Sequence, residues 1–170
     1  KEYRRQRQMC IRDRYTYNWS IDSRRLVKGN MRKTTDYIFI HCSATRPSMD
    51  WVDAEEIDKW HRERGFFCIG YTWVIKRDGT LEKGRDLYDP TASQRGYNNN
   101  AISICMVGGV TEDDIKIAED NYTPEQWSQL KDLLVEMKEV FPKAKIVGHN
   151  EFSSKECPSF DVQKYVKENL

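Results

Sequence analysis

The chain has 170 residues, enough for one domain with a sizeable core and too few for two. Its formal charge of +1 averages two unlike pieces: residues 1–33 carry 11 Lys+Arg against 3 Asp+Glu, a net of +8, and the other 137 carry 17 against 24, a net of −7. That body lacks the basic face that binds nucleic acid, no run of about 18 apolar residues could span a membrane, and the chain's five scattered cysteines read as reduced thiols in an intracellular protein, not a disulfide framework.

Residues 1–30 show no sustained period of 2 or 3.6. Met9-Cys-Ile-Arg-Asp-Arg14 is the kind of run a translated sequencing adapter produces, so the segment reads as non-native; a basic arm for anionic surfaces is the alternative. The charged N-terminus has no apolar core, so no signal peptide is expected. We divide the chain into a basic N-terminal segment, 1–33, disordered or non-native, and a folded domain, 34–170.

Residues 37–41, Tyr-Ile-Phe-Ile-His, predict a short buried strand. Alternation puts Tyr37, Phe39 and His41 on one face and Ile38, Ile40 and Cys42 on the other, so His41 and Cys42 cannot both point at one metal. A helix is expected over 52–64, stopped by Gly65, with His61 packing or capping inside it. Residues 71–76 and 80–83 predict a hairpin around Asp78-Gly79, and the polar stretch 84–100 a long surface loop. A third buried strand over 101–107 ends at Gly108-Gly109, and 111–121 is an acidic loop. Thr123-Pro-Glu-Gln126 marks a helix start, with Thr at the N-cap, Pro at N1 and Gln at N3, and the helix runs to about Val140. A strand over 145–147 leads into His149, and a last helix covers 160–168. The expected fold class is α/β: a single domain with a mixed central β-sheet flanked by helices.

The densest chemistry lies in Val147-Gly-His149-Asn-Glu-Phe-Ser-Ser-Lys155-Glu-Cys157-Pro-Ser-Phe-Asp161. His149 and Cys157 are eight residues apart in a stretch rich in turn formers, so one loop can bring both side chains to one point. Imidazole and thiolate are zinc ligands, and a catalytic zinc needs three protein ligands plus an open position. His41, at the end of the first strand, is the candidate third. Taken singly, each has a plainer reading: a packed histidine, a small buried thiol, a solvated Lys155, a core Tyr71. The set also admits a cysteine nucleophile at Cys157 with a histidine base.

Five blocks then carry a resemblance: Ile38-Phe-Ile-His-Cys-Ser-Ala-Thr45, Gly70-Tyr-Thr-Trp-Val-Ile-Lys-Arg-Asp-Gly79, Gly96-Tyr-Asn98, Ile104-Cys-Met-Val-Gly-Gly109, and Gly148-His149 with Lys155-Glu-Cys-Pro-Ser-Phe-Asp161. In order and spacing the chain resembles the type 2 zinc N-acetylmuramoyl-L-alanine amidases, of the kind found as phage lysozyme-amidases in T-odd podoviruses. They share a superfamily with the peptidoglycan recognition proteins. The resemblance implies one Zn²⁺ on His41, His149 and Cys157, with Tyr71 and Lys155 as the catalytic pair that does not bind metal. It implies hydrolysis of the amide between N-acetylmuramic acid and L-alanine of peptidoglycan by a monomeric endolysin, made in the host cytoplasm and reaching the wall after membrane permeabilisation. Arg85, Tyr97 and Asn98 are the expected substrate contacts. The chain departs from many relatives in reading Ala92-Ser-Gln-Arg95 where they carry a histidine, which removes one expected contact. Some superfamily members bind peptidoglycan without cutting it and typically lack the cysteine ligand. Phage relatives can also bind and restrain the phage RNA polymerase, a partner that no residue pattern here tests.

Overall fold

A computed structural model describes residues 31–170, and the two readings of residues 1–30 lie outside the described residues. The apolar run that predicted the first strand forms β1, Tyr37–Cys42. A loop leads to α1, Ala54–Glu63, which starts at Asp53 because that carboxylate accepts the Glu56 N–H. Val52, expected inside the helix, is instead fully buried just ahead of the cap. The hairpin strands are β2, Trp73–Ile75, and β3, Leu81–Lys83, around Gly79 at φ 81°.

β4, Ala101–Met106, is followed by α2, Pro124–Val140. The capping box legible in the sequence is present: Thr123 Oγ1 accepts the Gln126 N–H and the Gln126 side chain accepts the Thr123 N–H. β5, Lys145–Gly148, runs into a single 3₁₀ turn, His149–Glu151, and α3, Val162–Asn169, closes the chain behind an Asp161 cap.

The five strands form one mixed sheet in the order β3-β2-β4-β1-β5. β1 lies between β4 and β5, parallel to both; β2 is parallel to β4, and β3 is antiparallel to β2. On one face Ile38, Ile40, Ile102, Ile104 and Met106 pack against Leu130, Leu133, Leu134 and Met137 of α2, all with no exposed surface. Each such side chain contributes about 1.5–3 kcal/mol when fully buried. On the other face α1 covers β2 and β4 through Ile57, Val74 and Cys105. Over β1 and β5 the cover is aromatic: Phe39 and Val147 lie beneath Tyr37, Tyr97 and Phe152. His41 stands on this second face, beside Phe39 and between the two covers.

The predicted strand over 71–76 is trimmed to Trp73–Ile75. Thr72 still donates its N–H to Ser103 at 2.8 Å, but the carbonyls of Tyr71 and Thr72 are taken by the Arg85 and Gly84 N–H groups of the next loop. Residues 84–100 form no helix or strand, as expected, yet the loop is not merely superficial. Arg85, Thr91 and Gln94 are buried. Arg32, counted above with the basic segment, is also buried. Its guanidinium donates to the carbonyls of Leu87, Asp89 and Ala101, tying the start of the domain to this loop.

Candidate metal centre

β1 carries His41 near its C-terminal end and leaves it 1% exposed. β5 stops at Gly148, so His149 opens the 3₁₀ turn beside it, steadied by the Gly148 N–H donating to Glu151 at 2.6 Å. The two imidazoles meet with their Nδ1 atoms 3.2 Å apart. The loop beyond His149 then returns, with the Asn150 N–H donating to the Cys157 carbonyl at 2.7 Å. This places Cys157 Sγ 3.8 Å from His41 Nδ1. The candidate ligand atoms of all three residues lie within 4.8 Å of one another.

The sulfur position has a backbone cause. Along a strand successive N–H groups point to opposite neighbours. The Ser43 N–H goes to Met106 on the β4 side, so the Cys42 N–H points to the other side, where β5 has already ended. Cys157 Sγ fills that vacancy and accepts the Cys42 N–H at 3.1 Å. Cys42 itself turns into the opposite core, as strand alternation predicts.

The electrostatics suit neutral imidazoles. Burial, reinforced by the charges of His149, Lys155 and His61, pushes His41 well below its ordinary value. Its Nε2 is buried without a hydrogen-bond partner, so no acceptor stabilises an imidazolium there. Burial and Lys155 lower His149 in the same direction. The neighbouring Cys42 thiol, together with burial, pushes the Cys157 thiol well up against the opposing pull of the Cys42 N–H, so its thiolate needs a cation close by. Two imidazole nitrogens and one sulfur converging in a pocket that opposes positive imidazole charge are a donor set suited to zinc, with a position left for substrate or water.

Tyr71 sits just before β2, its ring between His41 and His61 at centroid distances of 5.3 and 5.2 Å. Burial pushes its phenol well above 10, so it is a protonated donor at neutral pH. Lys155 is exposed on the crown of the ligand loop, and its charge reaches both imidazoles. His61 has the structural part expected of it: Nδ1 accepts the Gly70 N–H at 2.8 Å, setting the chain just before Tyr71.

The three expected substrate contacts each have partners within the fold. Arg85 is buried and donates to the carbonyls of Ile69 and Pro90 at 2.6 and 2.7 Å. Asn98 Oδ1 accepts from the N–H groups of Ser93 and Gln94 and from the Thr91 hydroxyl. Tyr97 packs edge-on to Tyr37 and Phe152. All three build the loop and the aromatic cover. The Cys42 N–H and Phe152 were missed in the sequence; the shortness of β5 relative to β1 was the available signal for the first.

The profile of the N-acetylmuramoyl-L-alanine amidase family matches residues 31–160. The chain is 43% identical over 141 residues to the endolysin of Enterobacteria phage K11, covering 83% of this chain and 91% of that protein. It is also 43% identical to the endolysin of Escherichia phage T7, covering 84% and 93%. Among solved structures, the N-acetylmuramoyl-L-alanine amidase LysC from Clostridium intestinale superimposes with a TM-score of 0.68 at 24% identity, covering 83% of this chain and 88% of that one, a likeness of fold.

Proposed function

This chain belongs to the N-acetylmuramoyl-L-alanine amidase family, and from that premise we propose that His41, His149 and Cys157 hold one zinc ion at the centre of a peptidoglycan-cleaving site. The protein is an amidase of the phage endolysin kind, acting on the bacterial cell wall. The bond cut is the amide between the lactyl group of N-acetylmuramic acid and the L-alanine of the stem peptide. The observation that carries the reading is the meeting of two buried imidazoles and one thiol, His41 from β1 and His149 and Cys157 from the turn and loop after β5.

Zinc, when bound, supplies the Lewis acidity that makes a water reactive at neutral pH. His41 and His149 offer lone pairs because burial keeps protons off them. The Cys42 N–H holds the Cys157 sulfur in its place. Water adds to the lactyl carbonyl, the C–N bond breaks, and the alanine nitrogen leaves with a proton. Tyr71, protonated and beside His41, orients the water or passes that proton. Lys155 brings positive charge from the loop crown towards the oxygen on which negative charge develops. The reading takes a monomer, since every group in it comes from one chain. Accumulation in the host cytoplasm, with access to the wall after membrane permeabilisation, belongs to the same proposal. Among the described residues no helix is long and apolar enough to cross a membrane.

Digestion of purified peptidoglycan tests the bond. New N-terminal alanine should appear in step with the fall in turbidity, with no new reducing sugar ends. Reducing ends without free alanine would mean that a glycosidic bond is cut instead.

A further inference from the structure

The candidate sulfur ligand is carried by a loop whose crown, Ser154 to Glu156, faces solvent. What fixes its base comes largely from outside the loop. Tyr122 Oη donates to the Pro158 carbonyl at 2.5 Å, and Ser159 Oγ donates to the Gly109 carbonyl at 2.6 Å. Gly109 has φ 101°, and a Cβ there would stand 2.7 Å from Cys42 Cβ and 3.0 Å from the Tyr122 hydroxyl. Tyr122, Gly109 and Cys42 are therefore packed at contact distance beneath the Cys157-Pro158 step.

Tyr122 is itself held firmly. It is 8% exposed and its ring lies edge-on to Trp127 and Phe160 at 5.4 and 5.8 Å. It immediately precedes Thr123, the N-cap of α2, whose hydroxyl also donates to the Arg77 carbonyl at 2.7 Å. A position needing only an aromatic ring does not need the hydroxyl, which is expensive to bury without a partner. Here the partner is a carbonyl one residue from the candidate ligand.

We propose that Tyr122 is a positioning residue of the metal centre: through the Pro158 carbonyl it anchors Cys157 to the start of α2 and holds the sulfur within reach of the two imidazoles. The proposal rests on the zinc reading above. A site of this kind works only when its ligands are held to within about half an ångström, so a lost anchor next to a ligand is felt as metal affinity.

The test compares the full chain with Tyr122→Phe, which keeps the ring packing and removes only the hydroxyl. Zinc affinity is measured by competition with a chromophoric chelator, and sulfur-to-metal charge transfer is read in the cobalt-loaded protein. Melting temperatures are taken with and without metal. The expected result is an affinity about five- to tenfold weaker, a shifted or weakened cobalt–thiolate band, and a smaller rise in melting temperature on adding zinc. Equal affinity and an unchanged cobalt spectrum, with both forms melting lower by the same amount, would make Tyr122 a core residue only and overturn the proposal. A parent protein that binds no zinc overturns the zinc reading and this proposal together, whereas a parent that binds and a variant that binds equally well overturn this proposal alone.

Discussion

His41 and His149 face each other Nδ1 to Nδ1 at 3.2 Å although 108 residues separate them. Both rings are driven towards neutrality by burial, so neither can hold the other as an imidazolium. A zinc ion bound by both rings and the Cys157 sulfur is the occupant proposed for this meeting point. Chelation of the purified protein should therefore abolish wall cleavage, and added zinc should restore it. Cys157 should be shielded from alkylation when loaded and reactive when stripped. Cleavage that continues in a demonstrably metal-free protein would sink the zinc site and favour a Cys157 nucleophile.

The Tyr71 ring lies beside His41 and the Lys155 charge acts on both imidazoles, and neither residue belongs to the candidate ligand set. Tyr71→Phe and Lys155→Ala should each keep one zinc per chain and the parent's melting temperature. Each should lower turnover by about 10²–10³-fold, as expected for loss of a proton-handling or charge-stabilising group. Metal content and turnover measured on the same preparation decide the matter: loss of zinc in either variant would make that residue part of the metal's support.

Arg85 and Asn98 should behave as struts. Arg85→Met strips the donors from the Ile69 and Pro90 carbonyls and should destabilise the fold by roughly 2–4 kcal/mol. Asn98→Ala, which orphans three donors, should cost roughly 1–3 kcal/mol. Denaturant melts should show both losses, while KM for soluble wall fragments stays near the parent's. A large rise in KM with no change in stability would return them to the substrate groove.

His61 gives a pH signature. Burial, aided by the Arg64 charge, pushes it from its ordinary 6.5 down to about 4. The unfolded chain thus binds a proton that the folded chain refuses, so this contribution to stability is complete above pH 6.5 and is lost as pH falls towards 4. The loss amounts to roughly 3 kcal/mol at most. Replacing it in His61→Gln should flatten the fall in unfolding free energy between pH 6.5 and 4, with both proteins compared zinc-loaded. An unchanged slope would assign the acid sensitivity elsewhere.

What could be read in advance was whatever a short window encodes. Tyr37 to Cys42 carries its own alternation, and Thr123-Pro-Glu-Gln126 its own capping box, and both appear as expected. The metal candidates were legible because few side chains bind zinc and the chain holds only three histidines. What stayed hidden are the bonds that close over the fold. Asn98 and Arg85 look like free polar groups in a polar loop, and nothing local says that their donors and acceptors are already taken. Tyr122 gives no local sign of its bond either, because the Pro158 carbonyl lies 36 residues away along the chain.

The position of β1 in the sheet dictates an order of events. It comes first among the described strands, yet its only partners are β4, beginning at Ala101, and β5, beginning at Lys145. A growing chain of about 100 residues offers β1 no neighbour, and two of the three candidate ligands are added after β5. Long-range parallel pairing is slow because a large loop must close before any contact rewards it. On the zinc reading, metal capture is then a late step that follows the pairing of β1. In refolding with cobalt present, the charge-transfer band should rise no earlier than the slowest tryptophan phase. A band complete within the mixing time would show that the ligands gather before the sheet does.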